Sequence, residues 1–209
     1  IAAADPGEFI TVDAGTYVES GQIVIDKNLT IIGDDKTTTF IKPDANYTSS
    51  TDGWIKVNSG VTLNLSKVEL DGSGYLIYNG VYFEGNGELD DCSLTNIQYN
   101  ASGPTYRGTG VLVETSAGNV DIKNCVFTDI GRDGIRHRST GTVQGNIYTG
   151  KGATSPAENW FDYFILAEYG CDILIDNNTV TQCLGEETTT DTWGSGAIAI
   201  WDDPNKKVE

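Results

Sequence analysis

The 209-residue sequence contains no methionine and a single histidine, His137. Without an initiator methionine, the chain is expected to be a processed product or a stretch of something longer. One histidine excludes a metal cage built on imidazoles. No apolar run approaches the ~20 residues that a membrane-crossing helix needs, and no leader opens the chain, so membrane insertion is not expected. Basic residues are scarce: 13 Lys and Arg stand against 30 Asp and Glu, a formal net charge of -17. Such a chain repels phosphate backbones, which argues against nucleic acid as a partner. The same charge would attract Ca²⁺ or cationic partners and suits an extracellular or cell-surface protein. Asn-x-Ser/Thr sequons at Asn28, Asn46, Asn64, Asn100 and Asn177 lend weak support to secretion, since chance accounts for most of them in a sequence this rich in Asn and Thr.

Long helical periodicity is missing too. Short apolar runs recur instead, separated by Gly, Asn, Asp and Ser. One recurring unit is led by glycine: "GVYFEG" at 80, "GVLVET" at 110 and "GIRHRS" at 134, with "YFILAE" at 163 in the same role. "DGWIKVN" at 52 fits one residue out of phase, and "GAIAIWD" at 196 fits less clearly. A second unit follows each first one, and its alignment places Val68, Cys92, Cys125, Asn146 and Asn178 in one column, at steps of 24, 33, 21 and 32 residues. Such steps suit coils of a wide solenoid with loops of varying size, each coil about 4.8 Å from the next.

The repeats resemble those of the right-handed parallel β-helix proteins, the pectate-lyase-like superfamily, over nearly the whole chain. The opening "IAAADPGEFITVDAGTYVESGQIVIDKNLTIIGDD" is similar to the capping segment and first coil of pectin esterases and alginate-lyase-like proteins. The expected fold is all-β: a right-handed single-stranded parallel β-helix with an N-terminal capping segment, one domain over 1–209. The resemblance implies that Ile1–Ala4 form the last turn of a capping helix, that Pro6-Gly7 stop it, and that Phe9–Val12 begin the first strand. The closing "AIAIWDDPNKKVE" stops one strand into a new coil and does not read as a cap. An uncapped end exposes strand edges, so the domain is expected to be incomplete there, or to self-associate through that end.

Alternation along the glycine-led strands points Ile55, Val57, Val81, Phe83, Val111, Val113, Ile135 and His137 inward. Lys56, Tyr82, Leu112, Arg136 and Leu166 then face outward, beside a second outward column of Asn58, Glu84, Glu114, Arg138 and Glu168. Carboxylates stacked this closely repel. Arg138 lies between Glu114 and Glu168 and could pair with both. Two readings stay open, a cross-coil ion ladder and a polar groove that grips a saccharide or Ca²⁺. Three of the four arginines, Arg132, Arg136 and Arg138, fall within seven residues. The resemblance implies that arginine or lysine on this face can neutralise a uronate, with Ca²⁺ as a possible aid and no other cofactor. The paired aspartates of polygalacturonases and the Gln/Asp/Arg set of pectin esterases are not found. The resemblance carries a fold and not an active site.

The remaining candidates divide between core and rim. His137 is expected as a buried neutral imidazole. Cys92 and Cys125, one coil apart, can form a disulfide or stack as free thiols. Cys183 reads as interior and Cys171 as a corner residue. Asn146 and Asn178 read as an internal amide ladder. Trp160, with Phe161 and Tyr163, and Trp193, with Glu186, Glu187 and Asp191, stand in the two longest connections, where they could form a sugar-binding rim or fold over the outer sheet. Two functions follow. One is a structural or adhesive extracellular module that binds glycan or self-assembles. The other is a lyase-like enzyme acting on an acidic glycan, with Arg136 and Arg138 on the uronate, Glu114 or Glu168 holding Ca²⁺ or orienting the arginine, and the tryptophans against the sugar ring.

Overall fold

The computed structural model describes residues 1–99, 107–152, 161–184 and 194–201. Its strands form three parallel seven-stranded sheets, and each coil contributes a strand to each sheet in turn. Sheet one runs from Glu8–Val12 to Asp172–Asp176, sheet two from Gly15–Glu19 to Thr179–Thr181, and sheet three from Ile23–Ile25 to Gly196–Trp201. The architecture is a right-handed parallel β-helix, with the hand that parallel crossovers adopt. No helix occurs among the described residues.

The aligned column is the corner between sheets one and two. The amide of Ser93 donates to the carbonyl of Val68, Val126 to Cys92, Ile147 to Cys125 and Thr179 to Asn146, at 2.8 to 2.9 Å. One residue earlier, Lys67, Asp91, Asn124 and Asn177 are all left-handed, with φ between 52° and 57°, and Gly145 occupies the same place at 68°. The chain turns sharply there, and Asn, Asp and Gly tolerate that conformation best. This accounts for the polar residue or glycine just ahead of the aligned column. Inside the corner, Asn146 Oδ1 accepts from the Cys125 amide at 2.9 Å, while its Nδ2 donates to Ile122 O and Asn178 Oδ1, both at 2.9 Å. The expected amide ladder is present.

The leading glycines of sheet three have an equally local cause. A Cβ on Gly80 would stand 2.7 Å from the carbonyl oxygen of Gly110, one on Gly110 2.6 Å from that of Gly134, and one on Gly134 2.8 Å from that of Phe164. At these three positions the coils approach too closely for a side chain to fit without a shift. The pairing of Ile55 with Val81 puts Trp54, fully buried, at the place of these glycines, which explains the phase slip of its coil.

Inward positions stack by type. Ile31, Leu65, Leu89, Ile122, Val143 and Ile175 follow one another in sheet one. Val57, Phe83, Val113, His137 and Ala167 do so in sheet three. His137 is completely buried. It accepts from the Ser139 amide at Nδ1 (3.2 Å), which leaves Nε2 to donate to Val120 O (3.3 Å). Burial lowers its pKa to about 4, so the ring is neutral at physiological pH.

Two expectations need correction or completion. Residues 1–4, expected as the last turn of a capping helix, form a single hydrogen-bonded turn, Ala4 N to Ile1 O at 3.1 Å. Pro6-Gly7 do make the turn into the first strand, with Gly7 at φ 84°. Cys92 and Cys125 are free thiols, not a disulfide. Each Sγ faces carbonyl oxygens instead, Leu65 and Asp90 for Cys92, and Leu89 and Lys123 for Cys125, at 3.1 to 3.6 Å. Cys171 is also a free, buried thiol in a turn, and Cys183 is a partly buried one packed against the core.

Candidate functional site

The outward face of sheet three carries a network of paired charges. The register pairs Leu112 with Arg136 and Arg136 with Leu166, so Glu114, Arg138 and Glu168 lie on successive coils as the alternation predicts. Arg138 donates from one terminal nitrogen to Glu114 Oε1 and from Nε to Glu168 Oε2, both at 2.8 Å. Arg136 donates from Nε and a terminal nitrogen to the two oxygens of Glu168, both at 2.7 Å. The Glu168 side chain is only 5% exposed and that of Arg138 15%. Burial alone would raise the Glu168 pKa, but the bonds and charge from Arg136 and Arg138 outweigh it and hold the carboxylate below its ordinary value. The Arg138 guanidinium also lies over the Tyr169 ring, 5.1 Å from its centre.

Further along, the face becomes more closed. Tyr82 and Leu112 point outward yet are 4% and 3% exposed, because long neighbours lie over them. The Lys56 ammonium sits 5.7 Å from the centre of the Tyr82 ring and 3.5 Å from Glu84. Tyr82 donates to Glu114 Oε1 at 3.2 Å. Burial and the Glu114 charge raise the pKa of its hydroxyl far above the ordinary value, so it stays a donor.

Beside this network runs an open groove of about 680 Å³. Arg107, Arg132, Arg136, Glu168 and Asp133 line it, with the rings of Tyr78, Phe161, Tyr163 and Trp201. The Arg132 guanidinium lies 5.2 Å from the centre of the Phe161 ring, which stacks at 18° against Tyr163. Arg107 donates to the Tyr78 hydroxyl at 3.0 Å. Asp133 is buried at the start of its strand; Thr109 Oγ1 reaches its Oδ2 at 3.5 Å, and Oδ1 has no hydrogen-bond partner. Burial raises its pKa, against the pull of the Arg136 and Arg132 charges.

The structure therefore divides the sequence-derived candidates. Arg136 and Glu168 line the groove, Glu114 and Arg138 buttress it, and Tyr82 and Glu84 lie to one side with Lys56. Trp160, Trp193, Glu186, Glu187 and Asp191 lie outside the described residues. A Ca²⁺ ion between Glu114 and Glu168 would have to displace the Arg138 guanidinium that joins them. Among the described residues no cluster of three metal-ligating side chains occurs. Arg107, Tyr78 and Asp133 were not singled out by the strand pattern. They come from the residues entering each strand, where alternation carries no information, although Arg132 belongs to the basic cluster seen in the sequence.

The coil architecture has solved counterparts. The PL6 family alginate lyase AlyGC superposes with a TM-score of 0.64 at 18% identity, over 90% of this chain and 27% of the lyase. A mutant of the same lyase superposes with a TM-score of 0.59 at 16% identity, over 100% of this chain and 37% of the mutant. The fold is that of the pectate-lyase-like parallel β-helices. The chain spans 27% to 37% of the length of those lyase chains, and at such identities the likeness concerns the fold alone. No protein-family model and no curated protein matches the sequence.

Proposed function

We propose that this β-helix is an extracellular binding module that holds an acidic glycan in the groove on the outward face of sheet three. One observation carries the reading: in a chain of net charge -17, three of the four arginines line a single groove. Its volume suits a few sugar units. Aromatic rings offer flat apolar faces to sugar rings, and guanidinium groups offer paired donors to carboxylates. The groups beside the groove favour binding over bond cleavage. Glu168 and Glu114 are tied to arginines, and Tyr82 keeps its proton, so they act as fixed charges and donors and not as bases.

The second reading, a lyase acting on an acidic glycan, draws on the fold shared with an alginate lyase. Calorimetric titration with alginate, pectate and neutral oligosaccharides tests the first, and ultraviolet absorbance of unsaturated product, with and without Ca²⁺, tests the second. Saturable binding of an acidic oligosaccharide without product supports a binding module. Product formation supports the lyase, and silence in both assays removes the glycan reading.

A further inference from the structure

We infer that the anionic group of the bound glycan, a uronate carboxylate, is taken by Arg107 and Arg132, and not by the Arg136–Arg138 pair that dominates the sequence. The inference rests on the glycan reading and assigns it a subsite. A ligand carboxylate needs a cation that the protein has not already neutralised. Arg136 and Arg138 are committed: between them they make four bonds of 2.7 to 2.8 Å to Glu168 and Glu114, two cations against two carboxylates. Drawing either one toward a ligand would take one or two of its three hydrogen bonds from Glu168, a buried carboxylate, which offsets the bond gained.

Arg107 and Arg132 are in the opposite state. Neither pairs with a carboxylate among the described residues. Arg107 is exposed and bonds only the neutral Tyr78 hydroxyl, and Arg132 rests on the face of Phe161. They are also neighbours. The Arg132 amide donates to Gly108 O at 2.8 Å, so the two arginines enter sheet three on adjacent coils, about one strand spacing apart. Both side chains line the same groove, Arg107 toward Tyr78 of the coil before and Arg132 toward Phe161 of the coil after, and planar guanidinium donors suit the paired oxygens of a carboxylate. Asp133 also belongs to the groove lining but is buried, and it makes no ion pair with either arginine. Phe161 and Tyr163, stacked beside Arg132, provide the apolar face for the sugar ring.

The test is calorimetric titration of wild type, Arg107→Ala, Arg132→Ala and the double variant with oligoguluronate, oligogalacturonate and a neutral oligosaccharide of equal length. Lys56→Ala, which removes a cation of the same face outside the groove, controls for general charge. Each arginine variant is expected to lose about tenfold or more in affinity for the acidic oligosaccharides, with little change for Lys56→Ala. Arg132→Lys, which keeps the charge but not the planar fork, should recover only part. Both sites are at the surface, and unchanged circular dichroism and melting midpoints will show that the variants fold. If wild type binds acidic oligosaccharide and both alanine variants bind it equally well, the subsite is wrong while the glycan reading stands. If wild type binds only the neutral oligosaccharide, the anionic subsite is likewise wrong. If it binds none, both ideas fall together.

Discussion

Glu168 receives three hydrogen bonds from two arginines, two from Arg136 and one from Arg138, all within 2.8 Å. A carboxylate so enclosed is the keystone of the face. Its removal leaves two guanidinium groups beside each other with one remaining acid, Glu114, between them and neutrality.

Glu168→Gln is therefore expected to destabilise the protein by about 3 kcal/mol, the usual cost of breaking a buried ion pair from one side. Glu84→Gln, whose partner Lys56 is 3.5 Å away and partly exposed, should cost less than about 1 kcal/mol. Urea denaturation at neutral pH measures both. Equal effects would mean that burial of Glu168 does not matter.

His137 sets a pH dependence. Its pKa is about 4 in the folded chain, because burial opposes the charged ring, against about 6.5 when unfolded. Between those values the unfolded chain binds a proton that the folded chain does not. Its contribution is thus complete above about pH 6.5 and is lost as the pH falls toward 4, by about 3 kcal/mol in all. The groups facing the ring are the Val120 carbonyl, the Ser139 amide and the more distant Asp121 charge. Glu168, with its lowered pKa, adds a loss in the same direction at still lower pH. Urea midpoints measured across this range should slope in wild type and flatten above pH 4 in His137→Gln.

The corner ladder predicts that Asn146→Ala is costly. It would leave the Cys125 amide without a partner inside the solenoid and take one donor from the Ile122 carbonyl, for a loss of about 1 to 3 kcal/mol. Asn178→Ala, at the less buried end of the same ladder, should cost less. Denaturant midpoints of the two variants would rank them, and the reverse order would contradict the ladder.

Gly110→Ala should also destabilise, by about 1 to 3 kcal/mol, because the new methyl meets the Gly134 carbonyl oxygen at 2.6 Å. The same change at Gly194, where the added carbon meets nothing within 4 Å, should be nearly neutral. Thermal melts of the two variants provide the comparison.

The thiols offer a chemical check. Burial raises the pKa of Cys125, and that of Cys183 to about 12. A thiol reagent should react slowly with the native protein and count four thiols once it is unfolded. A count of two in denaturant without reductant would show a disulfide.

Much of the fold was legible because its causes are local and repeated. Period-two alternation separates Val111 and Val113 from Leu112 and Glu114, close coil approach demands Gly80, Gly110 and Gly134, and the left-handed corner selects Asp91, Asn124 and Asn177. The site was only half legible. Arg138 between Glu114 and Glu168 followed from register alone, whereas Arg107, Tyr78 and Asp133 stand just ahead of the leading glycines, where the apolar alternation does not reach.

From its residues alone, then, this protein is a stack of parallel coils with an acid–arginine column on one outer face, since strand phase and coil repeat are properties of neighbouring positions along the chain. Which arginines are neutralised and which stay open to a ligand was decided only in three dimensions. Pairing depends on how far side chains reach across coils and on which rings the connections bring beside them: Glu168 closes on Arg136 and Arg138, and Phe161 and Tyr78 leave Arg132 and Arg107 facing the groove.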